Sequence, residues 1–501
     1  MTGKKLFEAL EQVDEELVNE TAESLYGEGK KRGKAGWRRL VAAAVVLVVA
    51  FAGIGTAVWY QGTDENTGEA PVVDKKGTDK NTGEAPVVDR RETDWQMGEK
   101  DSNVNQIQKV NYKKGKSDQH PEGVYLKNLK PFYQNSIRDI LISKERENCA
   151  YSPVNLYLCM AMLTEMTDGD TKEQLLDVLG QKDTEDIRQQ SKLIWERVYM
   201  DNNIGKCILG NSIWLNQDIM YQKDALEILA QSYYTETYQG QMGKEMDKRI
   251  QGWVNDMTNN MLKEEATDIQ TDSMTAAVLL STAHFYDQWV TPFSEEDTTK
   301  DTFTNVDGEK ENCDFMHQTT YETVYEAERF LSTSLGFEND NSMILFVPKE
   351  GVTVEELLEK DMEDILRVCS YAESSEDYSY GEVTLSLPKF TISSNLDLIP
   401  VMKGMGITDL FDEKGADFSK LIREEGTGGD PVYVDKIRQA TKASVDENGC
   451  SVASFTEAGL RYGAASPNGH FEINCDHPFL FIISNYEGIP IFAGVVNRME
   501  E

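Results

Sequence analysis

HPFLFIISNYEGIPIFAGVVN stands at residues 477–497. Within it the runs Phe479–Ser484 and Ile489–Val495 are short, apolar and rich in aromatic and β-branched side chains, the composition of strands. Working back along the chain, runs of the same kind lie at Ala277–Tyr286, in pieces over Thr302–Phe315, and at Met343–Val347, Val383–Leu387, Val432–Lys436 and Ala443–Asp446. Nearer the front the period changes to that of helices, at 127–142, 153–166, 171–179, 183–199, 222–233 and 246–262, with two later patterns at 354–369 and 395–405. Polar residues placed to cap stand before two of these helices, Ser152 ahead of Pro153 and Asp170 ahead of Thr171. Helices crowd the first half and strands the second, without regular βαβ alternation, so the pattern reads as α+β and not as a doubly wound sheet.

Composition narrows the function. Of 501 residues 87 are acidic and 50 basic, a formal charge of −37 that repels phosphate backbones and argues against nucleic acid as a partner. Apolar residues at 40% and aromatics at 9% suffice for a large packed core, so the acidity belongs to a folded protein's surface. The chain has no GxSxG, HExxH, P-loop, GxGxxG or CxxC motif, and nothing in it points to an enzyme or a cofactor. His120, His284, His317, His470 and His477 are scattered without metal-ligand spacing, so no metal site is expected. The seven cysteines are odd in number and unclustered, and Cys159 and Cys207 sit in apolar runs where a thiol packs as a small hydrophobe.

The front of the chain divides into three segments. Leu40–Tyr60 runs 21 residues without a charge, which as a helix matches the roughly 30 Å of a hydrocarbon core. Lys30, Lys31, Arg32, Lys34, Arg38 and Arg39 precede it and acidic sequence follows, so residues 1–39 are expected in the cytoplasm and the rest outside. The long leader favours an uncleaved anchor over a signal peptide. Next, GTDENTGEAPVVDKK (62–76) recurs as GTDKNTGEAPVVDRR (77–91), too poor in apolar residues to bury a core. Residues 61–122 are therefore expected to be a flexible linker, and 123–501 the folded domain.

Five blocks in that domain resemble one family. YSPVNLYLCMAML (151–163) followed by TKEQLLDVLG (171–180), then VLLSTAHFYDQWVTPF (278–293), LPKFTISSNLDL (387–398), MGITDLFDEKGADFSKL (405–421) and the opening block are similar, in order and separation, to the serpins. The resemblance implies three β-sheets with eight or nine helices and an exposed reactive loop, and it implies a serine protease inhibitor, here a bacterial, membrane-anchored member. In such a mechanism the target protease cuts the loop, forms an acyl-enzyme, and is trapped when the loop inserts as a new central strand of the main sheet.

The segment matching the loop is VDENGCSVASFTEAGLRYGAASP, 445–467. An inserted strand needs alternate side chains that can be buried. Cys450, Val452, Ser454, Thr456, Ala458 and Leu460 share one face and qualify, while Ser451, Phe455, Glu457 and Arg461 fall on the other. The resemblance places the hinge at Glu447 and Gly449–Ser454, including Ala453, although Cys450 and Ser451 replace the family's usual Thr and Glu. It places the region where the sheet opens at Ser152, Asn155, Ser281, Trp289, Thr441 and Lys442, with Thr441 where the family more often has His. The family's spacing from Gly449 puts the scissile bond at Gly463–Ala464, with Tyr462 one residue earlier and Arg461 a third position. Gly463 and Ala464 suit shallow elastase-like or subtilisin-like pockets, Tyr462 a hydrophobic chymotrypsin-like one and Arg461 an acidic trypsin-like one. Two other functions fit the same residues: a noninhibitory scaffold of this fold, and a transmembrane sensor that reports loop cleavage to residues 1–39.

Overall fold

The structure, a computed structural model, describes residues 104–110, 124–144, 146–370, 378–423, 425, 427, 430–450 and 469–499. The leader, the apolar run at 40–60 and the repeats lie outside these. No helix among the described residues is long and apolar enough to cross a membrane.

The chain opens with β1 (Asn105–Gln108), α1 (Val124–Ile142), β2 (Cys149–Tyr151), α2 (Pro153–Met166), α3 (Gly169–Leu179) and α4 (Thr184–Val198). Then come β3 (Met200–Asp201), β4 (Lys206–Asn216), α5 (Lys223–Tyr233), β5 (Thr235–Gly240), α6 (Lys244–Met257), a 3₁₀ turn at Glu265–Asp268 and β6 (Ala277–Gln288). The middle holds β7 (Thr299–Thr304), β8 (Lys310–Glu326), β9 (Phe330–Gly336), β10 (Ser342–Pro348), α7 (Val354–Lys360) and α8 (Met362–Cys369). The end is β11 (Tyr378–Pro388), β12 (Phe390–Asp397), α9 (Ile399–Gly404), β13 (Arg438–Asp446), β14 (Gly449–Cys450), β15 (His470–Asn474), β16 (Phe479–Ser484) and β17 (Pro490–Val496).

Two ladders of hydrogen bonds organise the described strands. The main sheet runs β1-β5-β4-β6-β14-β13-β12, with β3 beside β4. The second runs β15-β11-β8-β9-β10-β16-β17-β2, with β7 beside β8. The second ladder narrows where β8 meets β9, at the pairs Val324–Thr333, Tyr325–Ser332 and Glu326–Leu331. Where three sheets were expected, the described strands form two hydrogen-bonded sheets, the second continued across that neck by the 17-residue β8. Nine α-helices among the described residues agree with the expected eight or nine, and the α+β class stands.

α2 is the central helix because its surface is apolar nearly all round, so it is buried on every side. Ser152 caps it, accepting from the Asn155 amide at 3.3 Å, and Pro153 opens the first turn where its missing N–H costs nothing. β16 and β17 are buried along their whole length, which is why they read as unbroken apolar runs.

Three expectations change. The helical pattern at 395–405 begins as a strand, because Phe390, Ile392, Ser394 and Leu396 are buried in strict alternation on β12, and only Ile399–Gly404 is helix. Val432–Lys436 joins no ladder: the Val434 amide donates to the Leu410 carbonyl at 3.0 Å and both valines pack on the core, so their β-propensity is used in a coil. Third, part of the expected linker is folded, since Asn105–Gln108 pairs antiparallel with Thr237–Gln239 at the edge of the main sheet and Val104 is buried.

Candidate functional site

The site lies between β6 and β13. β13 buries alternate residues, Gln439, Thr441, Ala443 and Val445, and exposes Lys442. After a turn at Glu447–Asn448 the chain reverses into β14, where Gly449 and Cys450 pair with Asp446 and Val445 on one side and with Gln288 and Asp287 of β6 on the other. The hinge thus begins as a two-residue central strand. Beyond Cys450, β6 and β13 share no ladder among the described residues. A hollow lies there instead, between Ala283 and Phe285 of β6 and Thr441 and Ala443 of β13, over Ile483 and Phe492.

The described residues of the segment expected as the hinge, Glu447, Gly449 and Cys450, each have a physical reason to be there. A Cβ at Gly449 would collide with the Asp287 carbonyl oxygen and stand 2.9 Å from the Gln288 Cα, so this close approach requires glycine. Cys450 points into the core, and burial pushes its thiol up to about 12, which makes it a packing group and not a nucleophile. Glu447 is buried and held by Lys389 Nζ at 2.8 Å and Thr298 Oγ1 at 2.9 Å. Burial opposes its charge, but these hydrogen bonds prevail and keep the carboxyl below its usual range.

Trp289 grips the same turn. Its indole donates to the Asp446 carbonyl at 2.9 Å, its amide to the Asn448 carbonyl at 3.0 Å, and its ring stacks on Phe337 at 4.5 Å. Beside it Asp287 is fully buried, accepting from Asn339 Nδ2 and the Gln288 amide at 2.9 Å each, with Asn341 Nδ2 at 3.5 Å. No cation is among these partners, and burial pushes the carboxyl up to about 6.

At the N-terminus of α2 the structure brings Ser152, Asn155 and Ser281 together. Asn155 Nδ2 donates to the Ser281 carbonyl at 2.9 Å and its Oδ1 accepts from Ser281 Oγ. Ser152 Oγ donates to the Ile491 carbonyl at 2.7 Å. Thr441 does not join them: its buried hydroxyl has no hydrogen-bond partner. Its place falls to Gln439, two residues back on the same face, which accepts from the Ser152 amide at 2.8 Å and donates to the Ser152 carbonyl at 3.2 Å. One helix end therefore bonds to both strands that flank β14, β6 through Asn155 and β13 through Gln439. Gln439 shares inward parity with Thr441, Ala443 and Val445, the signal by which it could have been found.

Ser451–Ser454, with Val452 and Ala453, and the scissile-bond residues Tyr462, Gly463 and Ala464 lie outside the described residues. Among the described residues no group of histidine, cysteine and carboxylate side chains could hold a metal ion.

A main sheet that pairs the two residues Gly449 and Cys450 between β6 and β13 defines a class, and comparison with known proteins identifies it. Residues 128–499 match the family Serpin (serine protease inhibitor), and this chain belongs to that family. It is similar to human Serpin B13, 25% identical over 364 residues that cover 68% of this chain and 90% of that one. It is also similar to pig plasminogen activator inhibitor 1, 25% identical over 401 residues, 77% of this chain and 96% of that one. A thermophilic serpin, Tengpin, solved in its native state, shares the fold at 23% identity and a TM-score of 0.68 over 79% of this chain and all of Tengpin. As a serpin the chain belongs among protease inhibitors and not among proteases.

Proposed function

We propose that this serpin is a suicide-substrate inhibitor of serine proteases, of the elastase-, subtilisin- or chymotrypsin-like kind. The target's serine attacks the carbonyl carbon of the residue before the scissile bond, Gly463 or Tyr462; the peptide bond breaks, the following residue leaves as a free amine, and an ester joins the target to the loop. The loop then enters the main sheet before water hydrolyses that ester.

The observation supporting this is β14: its two residues are hydrogen-bonded between β6 and β13, with a hollow directly ahead of them. Because Cys450 faces the core, strand alternation carries Val452, Ser454, Thr456, Ala458 and Leu460 to the buried face on insertion. The charges Glu457 and Arg461 then stay on the outer face. Incubating the full chain with a protease panel tests the reading: an SDS-stable complex with release of a C-terminal peptide is expected, and clean cleavage without complex refutes it. We also read Leu40–Tyr60 as an anchor that displays the domain outside the cell. In intact cells an N-terminal tag should survive added protease while a C-terminal tag is lost; a mature chain starting after Tyr60 would refute it.

A further inference from the structure

We propose that the repeats at 62–91 are a spacer whose length makes room, between the membrane and the domain, for the protease that the loop carries with it. This rests on the insertion and anchor readings above. Cys450 stands opposite Asp287 in an antiparallel pairing. Continued residue for residue, that pairing brings Leu460 opposite Ala277, where β6 begins, and carries Tyr462 and Gly463 past the end of the strand, level with Thr275 and Met274. Gly463 is 13 residues beyond Cys450, so at about 3.3 Å each the ester, with the protease bound through it, comes to lie about 40 Å down the sheet. Met274 is 80% exposed, so the described chain leaves that end of the gap open.

The chain enters the domain at the same pole. Ala277 pairs with Leu215 of β4, Leu215 with Gln239 of β5, and Gln239 with Asn105 of β1, one row across four strands. β1 runs antiparallel to β5, so Val104 stands on the Gly240 side of that row, the side from which β6 starts. At about 4.8 Å between strands, the two ends of the row are about 14 Å apart, and a strand added beside β6 is about 19 Å from β1. Insertion therefore brings the ester to within about 20 Å, across the sheet, of the residue from which the chain runs back toward the anchor.

Room at that pole is set by the chain upstream. A globular protease of about 250 residues has a radius of gyration of about 18 Å and a diameter of roughly 45 Å. Between Tyr60 and Val104 stand 43 residues, which lie outside the described residues and read in sequence as a linker. Fully extended, that length reaches about 150 Å, and as a coil it spans about 36 Å, close to the protease's diameter. Without the two repeats 13 residues remain, which reach about 45 Å only when fully extended and span about 20 Å as a coil. With the repeats, the trapped protease fits between domain and membrane. Without them the tether must be drawn straight before the loop can finish inserting, and hydrolysis of the ester overtakes it. A duplicated unit of 15 residues poor in apolar side chains lengthens a tether without adding a core, which is what such a spacer needs.

The test places the full chain in lipid vesicles and adds the panel protease that the parent traps, reading on one gel the SDS-stable complex and the chain cut at the loop. Deleting 62–91 should leave the rate of loop cutting unchanged, since the loop starts at the opposite end of β6, and should lower the complex formed per cut about tenfold or more. Deleting 77–91 alone should give an intermediate loss. A Gly/Ser stretch of equal length in place of 62–91 should restore trapping. So should releasing the shortened chain from the vesicle beforehand, through a site-specific endoprotease site placed after Tyr60. Parent-like trapping by the shortened chain on vesicles, no rescue by the Gly/Ser stretch, or no rescue on release overturns the spacer role, while trapping by the parent leaves the inhibitory reading intact. If the parent traps no protease on vesicles or off them, the insertion reading fails; if the tag test above finds a mature chain starting after Tyr60, the anchor reading fails; in either case the spacer role falls with it.

Discussion

Asp287→Asn should raise the stability of the native form at neutral pH and remove part of its pH dependence. Asp287 is fully buried and held by amide donors with no cation, and burial pushes its carboxyl from the ordinary 3.8 up to about 6. A folded pKa above the unfolded one means that the native form binds the extra proton between about pH 4 and 6. The stability linked to it is therefore fully present below about pH 4, is lost as pH rises, and is gone above about pH 6. At about 1.4 kcal/mol per pH unit the loss is about 3 kcal/mol. Asparagine keeps an oxygen for Asn339 and the Gln288 amide while carrying no charge. Urea unfolding of the two proteins from pH 4.5 to 7.5, compared at equal slope, gives the difference curve. It should rise with pH and level off near pH 6.5, with the variant more stable by about 2–3 kcal/mol. Glu447 and other carboxylates with depressed pKa titrate alike in both proteins and cancel. A flat difference curve, or a variant less stable at pH 7, would refute the assignment of an uncompensated buried charge to this position.

Three further outcomes follow from the hinge. Val452→Arg should convert inhibitor to substrate, because period-two alternation from Cys450 brings that charge to the buried face, whereas Ala453→Arg should be tolerated; equal stoichiometries of inhibition would show the register to be wrong. Lys389→Ala leaves the buried Glu447 without its 2.8 Å cation and should lower native stability by about 2 kcal/mol, read as a drop in urea midpoint that Lys389→Arg largely restores. Cutting the loop with a nontarget protease should raise the melting temperature sharply, as the inserted strand completes the sheet; a nicked form melting at or below the parent's temperature would argue for a noninhibitory scaffold.

Much of the fold was legible because it rests on local chemistry. Ser152–Pro153 marked the start of α2, and β16 and β17 announced themselves as apolar runs. β4 was missed because Gly210, Asn211 and Ser212 break its apolar run while its burial on both faces removes the alternation of a half-exposed strand. β1 was unreadable for another reason. Asn-Gln-Ile-Gln has no strand signature, and it becomes a strand only because β5 offers an open edge and the Trp214 cluster a pocket for Val104. Within the site, Ser152, Asn155 and Ser281 meet at the N-terminus of α2, and the inward polar group on β13 that reaches α2 is Gln439 and not Thr441. Similarity named a position; parity and side-chain reach decided it.

Some of the costs of the described structure lie where a strand would be added. Among the described residues the facing edges of β6 and β13 below Cys450 are joined by no ladder, the Thr441 hydroxyl is buried without a partner, and Asp287 is buried without a cation. Each unmade backbone bond forgoes about 1 kcal/mol, and an unpartnered buried polar group costs about 1–3 kcal/mol. Two other buried acids have guanidinium partners: Glu165 pairs with Arg188 and Asp361 with Arg329, in both cases through two hydrogen bonds of 2.6–2.7 Å. A strand continuing from β14 would make a ladder to β6 on one side and to β13 on the other. Bonds that an inserted strand would make at this boundary are what the proposed trap would draw on.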